Sequence, residues 1–183
     1  MAIKQGAHSQ EHHRGSTAPA EHKAHGPAAI SCGIITCSDT RTPETDKSGQ
    51  LIRESLTQAG HHIDAYQVVK DEPTEVRRLV QDWGKNEALG AIIINGGTGI
   101  SQRDSTYEAI DGLLEKRLVG FGEIFRYLSY KDIGSSAILS RATAGLYQGK
   151  VIFSIPGSSG AVRLAMEALI IPELPHIVGE MRK

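Results

Sequence analysis

The sequence has no excess of either charge, with 20 Lys and Arg against 21 Asp and Glu in 183 residues. It therefore has no net positive field to draw in a nucleic-acid backbone or an anionic membrane surface, and small molecules or other proteins are the expected partners. Only two cysteines occur, Cys32 and Cys37, within one apolar run. An odd offset along a strand points them to opposite faces, so they cannot bridge each other there, and a reducing cytoplasm is the expected location. No segment has the apolar length of a membrane span, and the start lacks the apolar centre of a secretory signal. Large apolar side chains are almost missing from the first 27 residues, where His8, His12, His13, His22 and His25 are scattered through polar sequence. Their spacings match no closed metal site. Residues 1–27 read as a solvated, disordered His-rich arm, and residues 28–183 as one folded domain.

What is present is an alternation of strands and helices. Residues 29–37 form a near-continuous run of small and branched apolar side chains, suited to a strand buried on both faces. A loop over 38–46 holds Asp39, Arg41 and Pro43, and 47–59 reads as a helix with Leu51, Ile52 and Leu56 on one side and Gly60 as its stop. A strand is expected within 63–69. From Pro73, Val76, Leu79, Val80 and Trp83 make a helical stripe, and Pro73 suits a first turn where its missing N–H costs nothing. The wholly apolar 91–94 is a short strand that gives way to Asn95-Gly96-Gly97-Thr98-Gly99. Ser105 and Glu108 form a capping-box pattern, and Ile110, Leu113, Leu114 and Leu118 continue as a helical stripe. Residues 121–130 read as a helix, 137–139 and 151–155 as strands, and Pro156-Gly157-Ser158-Ser159-Gly160 opens a helix running to about residue 169. Such alternation implies an α/β protein with a mostly parallel sheet covered on both faces.

In such sheets ligands gather beyond the carboxyl ends of the strands, where loops and helix N-termini offer unpaired N–H groups. Loops 38–46, 96–104 and 156–160 qualify. Gly96, Gly97 and Gly99 allow close backbone approach and positive φ, and Thr98 adds a hydroxyl, although a tight strand-to-helix turn would use the same residues. No lysine stands where a P-loop needs one, and Gln102 occupies the place of the third glycine of a dinucleotide fingerprint. Pro156-Gly157-Ser158-Ser159 repeats the theme, with plain N-capping by a serine as the alternative. Two such loops suggest a ligand with more than one anionic group. Asp71 and Asp104 each follow a strand and precede a helix beside the glycine loop, as N-caps or as carboxylates facing a phosphate site. In the second case a divalent cation must lie between carboxylates and ligand, and magnesium is the hard, oxygen-seeking choice.

Taken in order, Gly96-Gly97-Thr98-Gly99 with Arg103-Asp104 and Thr106, Gly120-Phe121-Gly122-Glu123 with Phe125-Arg126, Leu139-Ser140-Arg141, and Pro156-Gly157-Ser158 resemble the molybdenum cofactor biosynthesis B/molybdopterin adenylyltransferase family. The resemblance covers essentially everything after the arm. It implies a three-layer α/β/α sandwich with a mostly parallel central sheet, the molybdopterin-binding fold, assembled as a trimer or a hexamer. It also implies AMP transfer from MgATP to the terminal phosphate of molybdopterin, releasing pyrophosphate, with a molybdenum-insertion protein as a further contact. Asp71 and Asp104 match the two aspartates needed for the transfer and are assigned to Mg2+. Gly96 to Gly99 and Pro156, Gly157 and Ser158, with Ser140, would contact pterin phosphate and nucleotide, and Ser38 and Asp39 match a pair lining the same pocket. Arg141 would neutralise charge or pair with a carboxylate. Many relatives have proline where this chain has Tyr107, so a slightly relaxed loop is expected there.

Other readings are a carrier that binds molybdopterin without catalysis, a general nucleotide or phosphate-transfer domain, and a scaffold whose apolar stretch 169–178 serves subunit contacts.

Overall fold

The computed structural model describes residues 26–102 and 104–183. Of the arm at 1–27, all but Gly26 and Pro27 lies outside the described residues, as does Arg103.

Six strands form one sheet, β1 Ser31–Cys37, β2 His62–Val69, β3 Ala91–Asn95, β4 Lys116–Arg117, β5 Thr143–Tyr147 and β6 Lys150–Ile155, in the order β2-β1-β3-β6-β5-β4. The first four in that order are parallel, and β5 and β4 add an antiparallel edge. Register explains why the central strands are apolar throughout. Ile34, Ile93 and Phe153 stand side by side and feed one core, while Ile35 and Ile94, one residue further along, feed the other. With both faces covered, no position along β3 is left for water, and all five of its residues are buried. Cys32 belongs to one core and Cys37 to the other, and both are free thiols.

Two helix layers cover the sheet. One contains α1 Lys47–Gln58, α4 Val119–Ile133, and the continuous run of α5 Ser159–Ala165, a π turn Met166–Ile170 and α6 Ile171–Met181. The other contains α2 Pro73–Gly84 and α3 Thr106–Asp111. The α2 stripe buries Val76, Leu79 and Val80 as its spacing requires. The result is the expected α/β/α sandwich.

Three local expectations fail. Residues 137–139 are not a strand but lie in a 3₁₀ turn, Gly134–Leu139. The true neighbour of β6 is β5, joined to it through Gln148 and Gly149, both at positive φ as a two-residue hairpin turn demands. The helical stripe expected from Ile110 to Leu118 is cut at Asp111, because residues 116–117 leave to pair with β5. The capping box does not form, since no side-chain cap bond closes at Ser105 and Glu108 turns to Arg141. Within the apolar stretch 169–178, Ile170, Leu174 and Val178 are at most 2% exposed and belong to the core. Among the described residues no helix is long and apolar enough to cross a membrane.

Candidate functional site

Strand order fixes where a cleft can open. From β1 the sheet grows to β2 on one side and to β3 on the other, so the loops leaving β1 and β3 diverge at their carboxyl ends. A cleft of about 430 Å³ lies there, within the range of small-molecule sites. It is lined by Ser38 and Arg41 after β1, Gly96 to Gly99 and Asp104 after β3, and Pro156, Gly157 and Ser158 after β6. The end of α4, the 3₁₀ turn with Ser140, and the first turns of α5 close the far wall. Of the residues proposed from sequence, Asp39, Asp71 and Arg141 are not on the wall of this cleft.

The glycine loop is shaped by what it must avoid. Gly96 has φ +100°, and a Cβ there would sit 2.2 Å from the carbonyl oxygen of Cys37. Gly97 has φ +62°, and its Cβ would fall 2.4 Å from both Asp71 Oδ1 and Thr106 Oγ1. The loop thus lies flat against β1 on one side and against a carboxylate on the other, which no larger residue allows. Thr106 donates its hydroxyl to Asp71 Oδ1 at 2.7 Å. Asp71 is therefore not a helix cap; that position belongs to Glu72, which makes no side-chain cap bond. Burial raises the Asp71 carboxyl above the ordinary range, and the charges of Asp104 and Asp39 push it further, against the lowering effect of the Thr106 bond. Asp104 is not left over from a capping box. Its Oδ2 accepts from the backbone N–H of Ser101 at 3.1 Å and from the Ser101 hydroxyl, which turns the carboxyl against Gly99 on the cleft side.

A second cluster, unexpected from sequence, braces the opposite wall. Asp46, the N-cap of α1, accepts from Thr36 Oγ1 at 2.5 Å, Tyr66 OH at 2.9 Å and Gly49 N at 3.0 Å. Burial alone would raise its carboxyl, but these donors and Ser48 outweigh it and hold it below the usual range. Asn95, the last residue of β3, donates to Thr36 Oγ1 and lies 2.8 Å from Ser48 Oγ. Onto this buried network sits Arg41, bonded to Ser48 Oγ, 3.4 Å from Asp46 and donating to the Gly157 carbonyl at 3.1 Å. Arg41 is the one cationic side chain among the described residues lining the cleft. Its contact with Gly157 bridges 116 positions of sequence, so only its place in the loop after the first strand hinted at a role.

Arg141 holds the glycine loop from behind. Its Nε donates to the Thr98 carbonyl at 2.9 Å, and its outer nitrogens bond Gly99 O and the Glu108 carboxylate. The Arg141 guanidinium draws Glu108 below the usual carboxylate range. Tyr107, expected to relax the loop, instead lies beneath that guanidinium at 4.8 Å. Ser158 caps α5 through the Ala161 N–H at 3.3 Å, so capping accounts for one contact of its hydroxyl while the residue still borders the cleft. Cys37 also reaches the cleft, but burial pushes its thiol up to about 12, which removes it as a nucleophile near neutrality. On the far wall, Ser129, Asp132, Ile133, Leu139, Ala161 and Leu164 complete the lining. Of these six only Leu139, in the Leu139-Ser140-Arg141 motif, carries a sequence signal of its own.

The donor set suits magnesium. Asp71 lies against Gly97 and Asp104 against Gly99 of one loop, and the charge of Asp104 is unfavourable to that of Asp71, a repulsion that a divalent cation would relieve. Among the described residues no cluster of three or more His, Cys, Asp or Glu could hold a metal by itself, so ligand oxygens would have to complete the shell, which is how magnesium binds at phosphate sites.

Residues 33–176 match the model of a probable molybdopterin binding domain. The chain is 58% identical over 164 residues to molybdenum cofactor biosynthesis protein B of Bacillus subtilis, covering 89% of this chain and 96% of that protein. A crystal structure of a molybdenum cofactor biosynthesis protein B superposes with a TM-score of 0.83 at 54% identity, over 85% of this chain and 98% of the other. The tungsten cofactor synthesizing protein MoaB from Pyrococcus furiosus superposes with a TM-score of 0.76 at 38% identity, over 86% of this chain and 99% of the other.

Proposed function

The chain belongs to the molybdenum cofactor biosynthesis protein B family and carries its molybdopterin-binding domain, and from that premise we propose that it transfers AMP from ATP to the terminal phosphate of molybdopterin. The observation that carries the reading is the convergence of two phosphate-ready loops and two mutually repelling carboxylates at one end of the sheet. A pure binding site for an anion gains nothing from Asp71 and Asp104 placed beside it.

The transfer requires in-line attack by a phosphate oxygen of molybdopterin on the α-phosphorus of ATP, with pyrophosphate leaving. Gly97, Thr98 and Gly99 with Gly157 and Ser158 would present backbone N–H groups and hydroxyls to the two sets of phosphate oxygens. Positive φ at Gly96 and Gly97 lets the chain turn close to them. Arg41 neutralises charge at that end and is pre-oriented by Asp46, Ser48 and Gly157, so little reorganisation accompanies the reaction. Arg141 and Thr106 are positioning residues: the first fixes the Thr98 and Gly99 carbonyls, the second the Asp71 carboxylate. Asp71 and Asp104 would hold Mg2+. When bound, the ion offsets the charge shared by attacking and leaving phosphates.

Subunit assembly belongs to the same proposal. Among the described residues, seven of the eight large exposed apolar side chains, Val119, Ile124, Tyr127, Tyr130, Ile133, Ile138 and Leu139, lie on α4 and the 3₁₀ turn that follow one another along the rim of the cleft. A second copy of the chain is the occupant proposed for this face, in a trimer or a pair of trimers. The function is tested by incubating the protein with molybdopterin and ATP, with and without magnesium, and separating the products. Adenylyl-molybdopterin and pyrophosphate in equal amounts, formed only with the metal, support the proposal. Bound molybdopterin that stays unmodified under all conditions supports a carrier instead.

A further inference from the structure

We propose that Asp132, near the end of α4, reads the pterin ring of the ligand held in the cleft. The inference rests on the molybdopterin reading of this site and names the group within it that recognises the ring.

The lining residues fall into two sets. One set comes from the loops after β1, β3 and β6, where Thr98 and Ser158 offer hydroxyls, Arg41 a positive charge, and Asp104 a carboxylate that the proposed Mg2+ would meet. The other comes from α4, the 3₁₀ turn and α5, where the apolar Ile133, Leu139, Ala161 and Leu164 line the cleft together with two polar side chains, Ser129 and Asp132. Asp132 makes no hydrogen bond or ion pair with the described residues, although a lysine precedes it directly. Lys131 is turned away, its ammonium 4.4 Å from the centre of the Tyr127 ring. The carboxylate is thus left to the cleft and its solvent.

A phosphate is repelled by an unpaired carboxylate, so the anionic part of a ligand favours the loops that carry Arg41 and, through the proposed metal, Asp104 over the side of Asp132. What suits the side of Asp132 is a flat apolar ring with two adjacent N–H donors, because an ionised carboxylate accepts two parallel bonds and donates none. The 2-amino-4-oxo edge of a pterin has that pattern, in N3–H and the exocyclic amino group. Adenine does not: its amino group adjoins N1, an acceptor that a carboxylate repels. Asp132 therefore admits the pterin and turns the adenine of the nucleotide away from this side, which keeps the two substrates from exchanging places.

The probes are the phosphate esters of 6-hydroxymethylpterin and of its lumazine counterpart, in which a 2-oxo group replaces the 2-amino group. Binding of both, and of molybdopterin and ATP, is measured for the native chain and for Asp132→Asn. The native chain should prefer the pterin ester. In the variant, molybdopterin should bind about 10-fold or more weakly, the expected loss for a charge-assisted contact. ATP binding should hold, and the ester preference should move toward the lumazine, whose N3–H and 2-oxo match the carbonyl and amino group of an amide side chain. A merely structural loss would weaken both esters alike and leave the preference in place, which would overturn the assignment. Native binding of molybdopterin with an unchanged preference in the variant refutes Asp132 alone, whereas failure of the native chain to bind molybdopterin or the pterin ester removes the reading of the site together with it.

Discussion

His61 closes the C-terminal end of α1, its amide donating to Leu56 O at 2.9 Å. The residue is 5% exposed, and its Nδ1 has no partner among the described residues. An unsatisfied buried nitrogen costs about 1–3 kcal/mol, and an apolar side chain at this point of a helix terminus packs without that cost. Burial, reinforced by the charge of His62, lowers the imidazole below its ordinary value, so the fold prefers the neutral ring. Stability is then fully present above the unfolded imidazole pKa and declines as pH falls through the lowered one. His61→Leu should raise stability by about 1 kcal/mol at neutral pH and flatten that decline, as read from urea unfolding between pH 4 and about 7. At this scale the sequence was informative about residues whose role follows from position along the chain. Asp71 and Asp104 stand out because each sits between a strand and a helix, and Cys32 and Cys37 because an odd offset separates them. Arg41 and Asp46 do not stand out, since the contacts that define them, to Gly157, Tyr66 and Thr36, come from other elements.

The glycine loop is the element on which the site depends. It holds a positive φ at two successive residues while passing between Cys37 O and the Asp71–Thr106 pair. Gly97→Ala adds strain of about 1–3 kcal/mol from the left-handed conformation alone, and its methyl group must displace Asp71 or Thr106. We expect a lowered melting temperature together with loss of metal-dependent nucleotide binding, measured by titration of the purified variant. Retained binding with native affinity would mean that the loop does not set the position of Asp71. Strand-to-loop-to-helix junctions such as this one were legible because apolar runs ended abruptly in glycine. The antiparallel edge was not. Residues 137–139 have the apolar letters of a strand, but Gly134 and two serines precede them, and the chain tightens into a 3₁₀ turn instead. The decisive sign for β5 and β6 was Gln148-Gly149 between two apolar runs, a hairpin turn of two residues. Likewise α3 stopped after six residues because β4 was needed to cover β5, a tertiary demand that overrides the local helical stripe.

For the whole molecule, the apolar rim along α4 is the feature a solitary subunit does not explain. Ile124 and Tyr127 are 50% and 59% exposed, one turn apart. In the proposed trimer or pair of trimers, replacing both by Glu should give monomers in sedimentation velocity without loss of secondary structure, whereas a sedimentation coefficient equal to that of the native chain would contradict a subunit contact on this face. The sandwich itself followed from alternating strands and helices, and the position of the cleft from the carboxyl ends of β1 and β3, both readable before any coordinates. What sequence left open is whether the carboxylates act in catalysis. The most direct test is a single-turnover measurement of AMP transfer from ATP to molybdopterin by the native chain and by Asp104→Asn, which keeps the side chain's size and the room it occupies beside Gly99 while removing its charge. Magnesium-dependent adenylyl-molybdopterin from the native chain, with the rate reduced by about 100-fold or more in the variant as for loss of a main electrostatic group, is the predicted result. Equal rates in the two proteins, or molybdopterin bound by the native chain with no product, would contradict the account.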